Sequence, residues 1–322
     1  MHSPGTLEQA RLDRAGGPAE LTVGALDATE RRRRLRGAGL AIRSGLFAFR
    51  LRSDLPQVAQ AIDRLYADYP CLADTDFCDF ALDVVRPGGL RQWLRPQVVA
   101  RYDGEPVFEP LPAGHAFPLM EWALNYCVTT HAFEHLSLHA AVVERGGRAV
   151  ILPAPPGSGK STLCAALVHR GWRLLSDELT LVALADGRVS PVVRPVSLKN
   201  RSIEIISAFA PESEFCDPTH DTLKGTVAHM RAPAAHVHRM HEPALPAWVV
   251  FPRWEADAPA TLSERPRPDT VLELGRNSFN LSVLGRAGFE TLTALVNRCG
   301  CYDFRYGLLD DAMRVFDQLA AG

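Results

Sequence analysis

Little in this chain points toward a membrane or a nucleic acid. No apolar run approaches the ~20 residues that a spanning helix requires. The net charge is only −2, which removes any global electrostatic case for a nucleic-acid partner. Met1–Glu20 is polar and lacks the hydrophobic segment of a secretory signal. The seven cysteines are scattered without zinc-finger spacing, and Cys299-Gly-Cys301 is too close for a C-x-x-C motif. Reduced or buried thiols in a cytoplasmic protein are the expectation. There is no internal repeat, and the five tryptophans are dispersed, as core or interface residues are.

What is present is ordinary core material, 47% hydrophobic in 322 residues, enough for one large domain or two moderate ones. Residues 1–35 read as a flexible tail. Its basic run, Arg31–Arg34 with Arg36, reads as a solvated patch. Residues 36–135 read as a small α+β region. It holds a strand over Leu46–Leu51 and a helix over Leu55–Tyr66 with Asp54 as N-cap. A strand over Cys78–Val84 follows, then a hairpin on Asp103-Gly104 and an apolar helix over Pro118–His131. From 136 onward the strands come closely spaced, at Leu138–Glu144, Ala149–Leu152, Trp172–Leu175, Thr180–Leu184 and Arg188–Val193. Residues 207–246 are rich in Pro, His and polar side chains and read as a long mobile region. Its histidines His229, His236, His238 and His241 read as loop residues rather than a metal site. Two helices close the chain, marked by Phe289–Val296 and Leu308–Leu319.

The strongest local signal is Ala-Pro-Pro-Gly-Ser-Gly-Lys-Ser-Thr at 154–162, placed between a strand and a helix. This is the pattern of a phosphate-binding loop. Pro156, Gly157, Ser158 and Gly159 form a turn that lets backbone N–H groups face a polyphosphate, and the helix N-terminus adds positive potential. Lys160 is placed to reach the β- and γ-phosphates, Ser161 to ligate Mg²⁺, and Thr162 to open the helix. Ala154 stands where such loops usually begin with Gly.

Seventeen residues after Lys160 comes Asp177-Glu178. One loop, one short helix and one strand separate them, which puts both carboxylates beside the loop, in the next strand over. One can accept the proton of an attacking hydroxyl, and the other can hold Mg²⁺.

This arrangement resembles HPr kinase/phosphorylase, a serine kinase with a core related to PEP carboxykinase. The resemblance covers residues 136–300 or so. It rests on Leu138-His139-Ala140-Ala141-Val142-Val143, on Arg170-Gly171-Trp172-Arg173-Leu174-Leu175-Ser176-Asp177-Glu178 and on Gly275-Arg276-Asn277. Within that family the chain looks most like the HPr kinase-related kinase A group. That group carries segments like Ser197-Leu198-Lys199-Asn200 and Lys224-Gly225-Thr226-Val227-Ala228-His229. The resemblance implies an α/β fold, with a P-loop kinase core of the HPr kinase / PEP carboxykinase type over 136–322, preceded by the small α+β region. It implies Asp177 as general base and Glu178 as the second, metal-holding acid. It makes His139 and Arg276 active-site residues, and it raises Lys199, Lys224 and His229 as candidates for the phosphate or acceptor site. Three departures stand out. The second acid is Glu, Ala154 replaces Gly, and Arg194-Pro195-Val196-Ser197-Leu198-Lys199-Asn200 occupies the place of the family's Arg-Gly-Leu-Gly.

The function expected is therefore ATP- and Mg²⁺-dependent transfer of a phosphoryl group to a hydroxyl, serine foremost, of a small protein or peptide. The resemblance suggests a PqqD-like or HPr-like partner, and since the related kinases are hexamers, a homo-oligomer is an option. Two other readings stand beside it: a small-molecule kinase on the same core, and a nucleotide-regulated binding module for a peptide carrier.

Overall fold

The computed structural model describes residues 21–88, 95–155 and 157–322. They divide into two compact units. One runs to Leu124 and includes Pro233–Glu242; the other comprises Asn125–Ala232 and Pro243–Gly322. The division thus falls about ten residues before the expected one, inside a helix.

The first unit is a six-stranded sheet with helices. After α1 (Ala28–Arg36) come β1 (Leu40–Ser44), β2 (Phe47–Arg52), α2 (Pro56–Leu65), β3 (Phe80–Val85), β4 (Gln97–Tyr102), β5 (Glu105–Pro106) and β6 (Leu111–Pro112). The order is β1-β2-β3-β4-β5, with β6 on β4. Among the described residues of this sheet only β2 and β3 are parallel, and α2 lies in the connection that a parallel pair requires. Val58, Ala61, Ile62 and Leu65 form the buried stripe of α2, as their spacing predicts. Its N-cap is Leu55 rather than Asp54, and Ser53 Oγ accepts from Leu55 N–H at 3.2 Å. Asp103 and Gly104, at φ 49° and 89°, make the tight turn expected between β4 and β5.

Residues 21–35 are not a loose tail. Val23–Ala25 is a 3₁₀ turn, and Asp27 caps α1 by accepting from Glu30 N–H at 2.8 Å. Nor is the arginine run simply solvated. Arg33 and Arg34 both pair with Glu30, at helical spacing, and Arg31 pairs with Asp63.

Helix α3 (Ala116–His131) crosses the division at Leu124. The second unit continues with β7 (His135–Arg145), β8 (Arg148–Pro153), α4 (Lys160–His169), β9 (Arg173–Ser176), β10 (Leu179–Ala183) and β11 (Val189–Ser190). Then come β12 (Val196–Lys199), α5 (Arg201–Phe209), β13 (Thr219–Thr222), β14 (Gly225–Met230) and α6 (Ala234–His238), the last clustering with the first unit. The remainder is β15 (Leu245–Trp254), β16 (Thr261–Glu264), α7 (Arg267–Arg276), α8 (Leu281–Arg298), β17 (Gly300–Tyr306) and α9 (Leu309–Ala321). The large sheet runs β11-β10-β7-β8-β15-β17-β16, with β9 also on β7; β12-β14-β13 form a second, smaller sheet. Strand β15 is parallel to both β8 and β17, and the other pairs are antiparallel, so the architecture is mixed α/β.

The stretch 207–246 is not a long mobile loop. It contains the end of α5, the β13–β14 hairpin and α6, and Val227, Ala228 and Met230 are fully buried. Its prolines flank these elements while His220, His229, His236 and His238 lie within them, and together they mask the elements in the composition. Among the described residues, no helix is long and apolar enough to cross a membrane.

Candidate functional site

Strand β8 delivers the glycine loop. Its buried run Ala149–Pro153 sits mid-sheet between β7 and β15, and the loop leads directly into α4. Gly157 and Gly159 have φ of 85° and 88°, a region closed to most side chains, so glycine is needed at both. Pro156 lies outside the described residues. Two residues far along the chain seat the loop: the Tyr306 side chain, whose Oη donates to Gly159 O at 3.2 Å, and Trp254, whose backbone N–H donates to Ser158 O at 2.9 Å. A Cβ on Gly159 would sit 2.7 Å from Tyr306 Oη, whereas one on Gly157 would meet open space. Ala154, the departure from glycine, is a small buried residue at the loop's start. Ser161 and Thr162 are half-buried in the first turn of α4.

Lys160 opens that helix. Its ammonium is buried and, among the described residues, has no hydrogen-bond partner. Burial holds it below the usual lysine range, against the pull of Asp177 and Glu178. An orphaned buried cation is costly unless something anionic completes it.

The acid pair is brought to the same end of the sheet by β7. Ala140 and Ala141 face Pro153 and Leu152 of β8 on one side. On the other side β9 and β10 flank the positions opposite them, where Asp177 and Glu178 break the pairing. The carboxylates are therefore not in the strand next to β8; β7 lies between. The crossover through α4 passes over one strand because β7 already pairs with β8 as its hairpin partner. Two strand spacings put the two backbones about 10 Å apart, a gap that a lysine and a carboxylate side chain can work across.

Asp177 and Glu178 have different surroundings. Asp177 is 6% exposed. Its Oδ2 accepts from Ser197 N–H of β12 at 2.9 Å, while Oδ1 has no partner among the described residues. Burial pushes its carboxyl up to about 6, against Lys160 and with Glu178 adding to the rise. Glu178 accepts from Asn125 Nδ2 at 2.6 Å, and Asn125 Oδ1 accepts in turn from Arg194. Burial acts to raise Glu178 as well, but Lys224, Lys160, Lys199 and Arg194 together outweigh it and hold the carboxyl below its usual range. One acid is thus poised near neutrality and its neighbour is firmly ionised.

The other expected residues are only partly assembled. His139 lies on β7 opposite Leu179, and its backbone N–H donates to Asn277 O at 2.7 Å. Burial, then the Lys160 charge, brings its imidazole down to about 4, so it is neutral at pH 7. His229 lies on β14 opposite Ser197, fully buried and brought down to about 3 by burial. Lys199 ends β12 and Lys224 occupies the β13–β14 turn. Asn200 ties them together, its N–H donating to Thr226 O and its side chain to Lys224 O, at 2.8 and 3.3 Å. Arg276 does not join them. The segment carrying it lies along β7, but its guanidinium points to the surface, 76% exposed and 3.5 Å from Glu273. It ends an amphipathic helix on the polar side, which the short motif around it did not reveal.

A divalent cation held between phosphates and protein needs hard oxygens, and the Ser161 hydroxyl and ionised Glu178 supply that donor type. Among the described residues no group of three or more His, Cys, Asp or Glu could hold a metal by itself.

Asn125, Tyr306 and Trp254 are site residues without any motif of their own. Arg194 falls in the segment that replaces the resembled family's Arg-Gly-Leu-Gly, and Ser197 opens the Ser-Leu-Lys-Asn segment within it. Residues 116–192 match the family model described as SynChlorMet cassette protein ScmC. The matched stretch runs from α3 through the glycine loop and the acid pair to β11, and stops before β12. No curated protein matches the chain.

Proposed function

We propose that the protein is an ATP-dependent phosphotransferase of the HPr kinase-related type, built on a P-loop kinase core. On this reading it transfers the γ-phosphoryl group to a hydroxyl, serine foremost, of a small protein or peptide. The observation that carries the reading is the pairing of two incomplete buried groups at one sheet end. One is the unpartnered Lys160 ammonium behind a left-handed glycine loop. The other is Asp177, with one oxygen fixed by Ser197 and the other open.

The chain's own residues divide the work. The loop N–H groups and Lys160 bind and orient the polyphosphate. Asp177 Oδ1 takes the proton of the acceptor hydroxyl as its oxygen bonds to the γ-phosphorus and the bond to the departing ADP oxygen breaks. An acid brought up to about 6 is ionised at pH 7 yet still basic enough to accept that proton. Bound Mg²⁺ would neutralise phosphate charge, with Ser161 and Glu178 holding it. Lys199 and Lys224 both act on the Glu178 carboxylate, and on this reading they give the acceptor side a positive field.

The test is Asp177→Asn. Transfer of labelled γ-phosphate from Mg²⁺–ATP to candidate peptide partners should fall roughly 10²–10⁴-fold while nucleotide affinity persists. Transfer at the wild-type rate would remove Asp177 as base. Label appearing on metabolites alone would replace the protein acceptor with a small molecule.

A further inference from the structure

We infer that Asn125, oriented by Arg194, is the positioning residue that fixes Glu178 for metal binding; this rests on the phosphotransferase reading above. The argument is one of donors and acceptors. A guanidinium has donors only, so Arg194 must face the carbonyl oxygen of the Asn125 amide. That leaves the amide NH₂ for Glu178, which as a carboxylate only accepts. Turning the amide over would set donor against donor and acceptor against acceptor. The relay therefore has a single polarity, and it commits Glu178 Oε2 to Asn125 at 2.6 Å, leaving Oε1 for the cation.

The surroundings make the relay necessary. Arg194 is 7% exposed, so its own position is set by burial rather than by solvent. Glu178 is drawn toward several cations at once, Lys224, Lys160, Lys199 and Arg194. Without a fixed partner its side chain could settle on any of them, with neither oxygen held where a phosphate-borne cation arrives. Asn125 is neutral, so it fixes the carboxylate without joining that competition. Asp at 125 would satisfy Arg194 but set two carboxylates against each other. A metal-binding carboxylate held by such an outer partner typically loses 10–100-fold in metal affinity when the partner is removed.

The experiment measures, by calorimetry on the full-length protein, the affinity of a non-hydrolysable ATP analogue with and without Mg²⁺. In the wild type Mg²⁺ tightens binding. In Asn125→Ala the metal-free affinity should stay within about two-fold of wild type, while the gain from Mg²⁺ falls roughly 10–100-fold. Asn125→Asp should lose the gain as well. Arg194→Lys, which keeps a cation but not the planar fork, should lose part of it, and it supplies the readout if Asn125→Ala does not fold. A Mg²⁺ gain that is unchanged in the folded variants overturns the inference, even if their thermal stability falls. Absence of analogue binding in the wild type would instead overturn the phosphotransferase reading, and the inference with it.

Discussion

Asp177→Asn should make the protein more stable at neutral pH while disabling it. Burial raises the Asp177 carboxyl from an ordinary 3.8 to about 6. At about 1.4 kcal/mol per pH unit, keeping this side chain charged costs the fold roughly 3 kcal/mol. The sign follows from proton binding. Between 3.8 and about 6 the folded chain holds a proton that the unfolded chain has released. Stability from this group is therefore full at acid pH and lost as pH rises through the folded value. Asn is neutral at every pH and can still accept from Ser197 N–H, so the variant escapes the loss. The attraction of buried Lys160 is already counted in that value; what opposes the gain is the donor that the amide NH₂ sets where Oδ1 stood. The net gain near pH 8 should then be about 1–3 kcal/mol, and a domain of this size moves about 2–4 °C in melting midpoint per kcal/mol.

The assay is thermal unfolding of both proteins from pH 4 to pH 8. The difference in midpoint, variant minus wild type, should grow as pH rises and level off above about 7. A difference that stays flat across the range, or a variant less stable at pH 8, would refute the buried, strained carboxylate. It would also remove the reason for choosing Asp177 over Glu178 as base.

Lys160→Ala should weaken Mg²⁺–ATP binding by roughly ten-fold or more, the worth of a charge-assisted contact in a buried site; unchanged affinity in a calorimetric titration would dismiss the loop as a phosphate site. Gly159→Ala and Gly157→Ala should differ. Both strain the backbone by about 1–2 kcal/mol, but only Gly159→Ala must also displace Tyr306, whose hydroxyl lies 2.7 Å from the added Cβ. Denaturant unfolding should rank Gly159→Ala the less stable by about 1 kcal/mol or more, and equal losses would mean that Tyr306 does not seat the loop.

The parts of the site that were legible in the sequence are those a local motif can carry. The run 154–162 specifies its own backbone because glycine is demanded at two left-handed positions. Asp177-Glu178 was legible because a strand ends there. The rest depends on pairings that no local pattern encodes. Asn125 reaches Glu178 across 53 residues and Arg194 across 69. Strand β15 was hidden because Pro246 and Pro252 argue against a central strand; a register shift between Pro246 and Trp248 accommodates the first. Arg276, exposed at the end of its helix, is the opposite case. Its tripeptide suggested a role, but the face of α7 on which it falls depends on how the whole helix lies.

Strand β7 explains why the matched stretch 116–192 holds most of the site and yet does not complete it. One edge of β7 pairs with β8 and so positions the glycine loop; the other pairs first with β10 and then with β9, positioning the acid pair between them. That arrangement lies within the stretch. The features that make its side chains chemically distinct lie beyond it. Arg194 orients Asn125, while the Ser197 N–H fixes Asp177 Oδ2 and pulls that carboxyl down, against its burial. Lys199 and Lys224 hold Glu178 ionised, and Tyr306 and Trp254 seat the loop. Carboxylates held by the scaffold alone would share the same burial and the same nearby Lys160, with little to set them apart. The division between a poised acid and an ionised one arises where β12 and the β13–β14 turn meet the end of the large sheet.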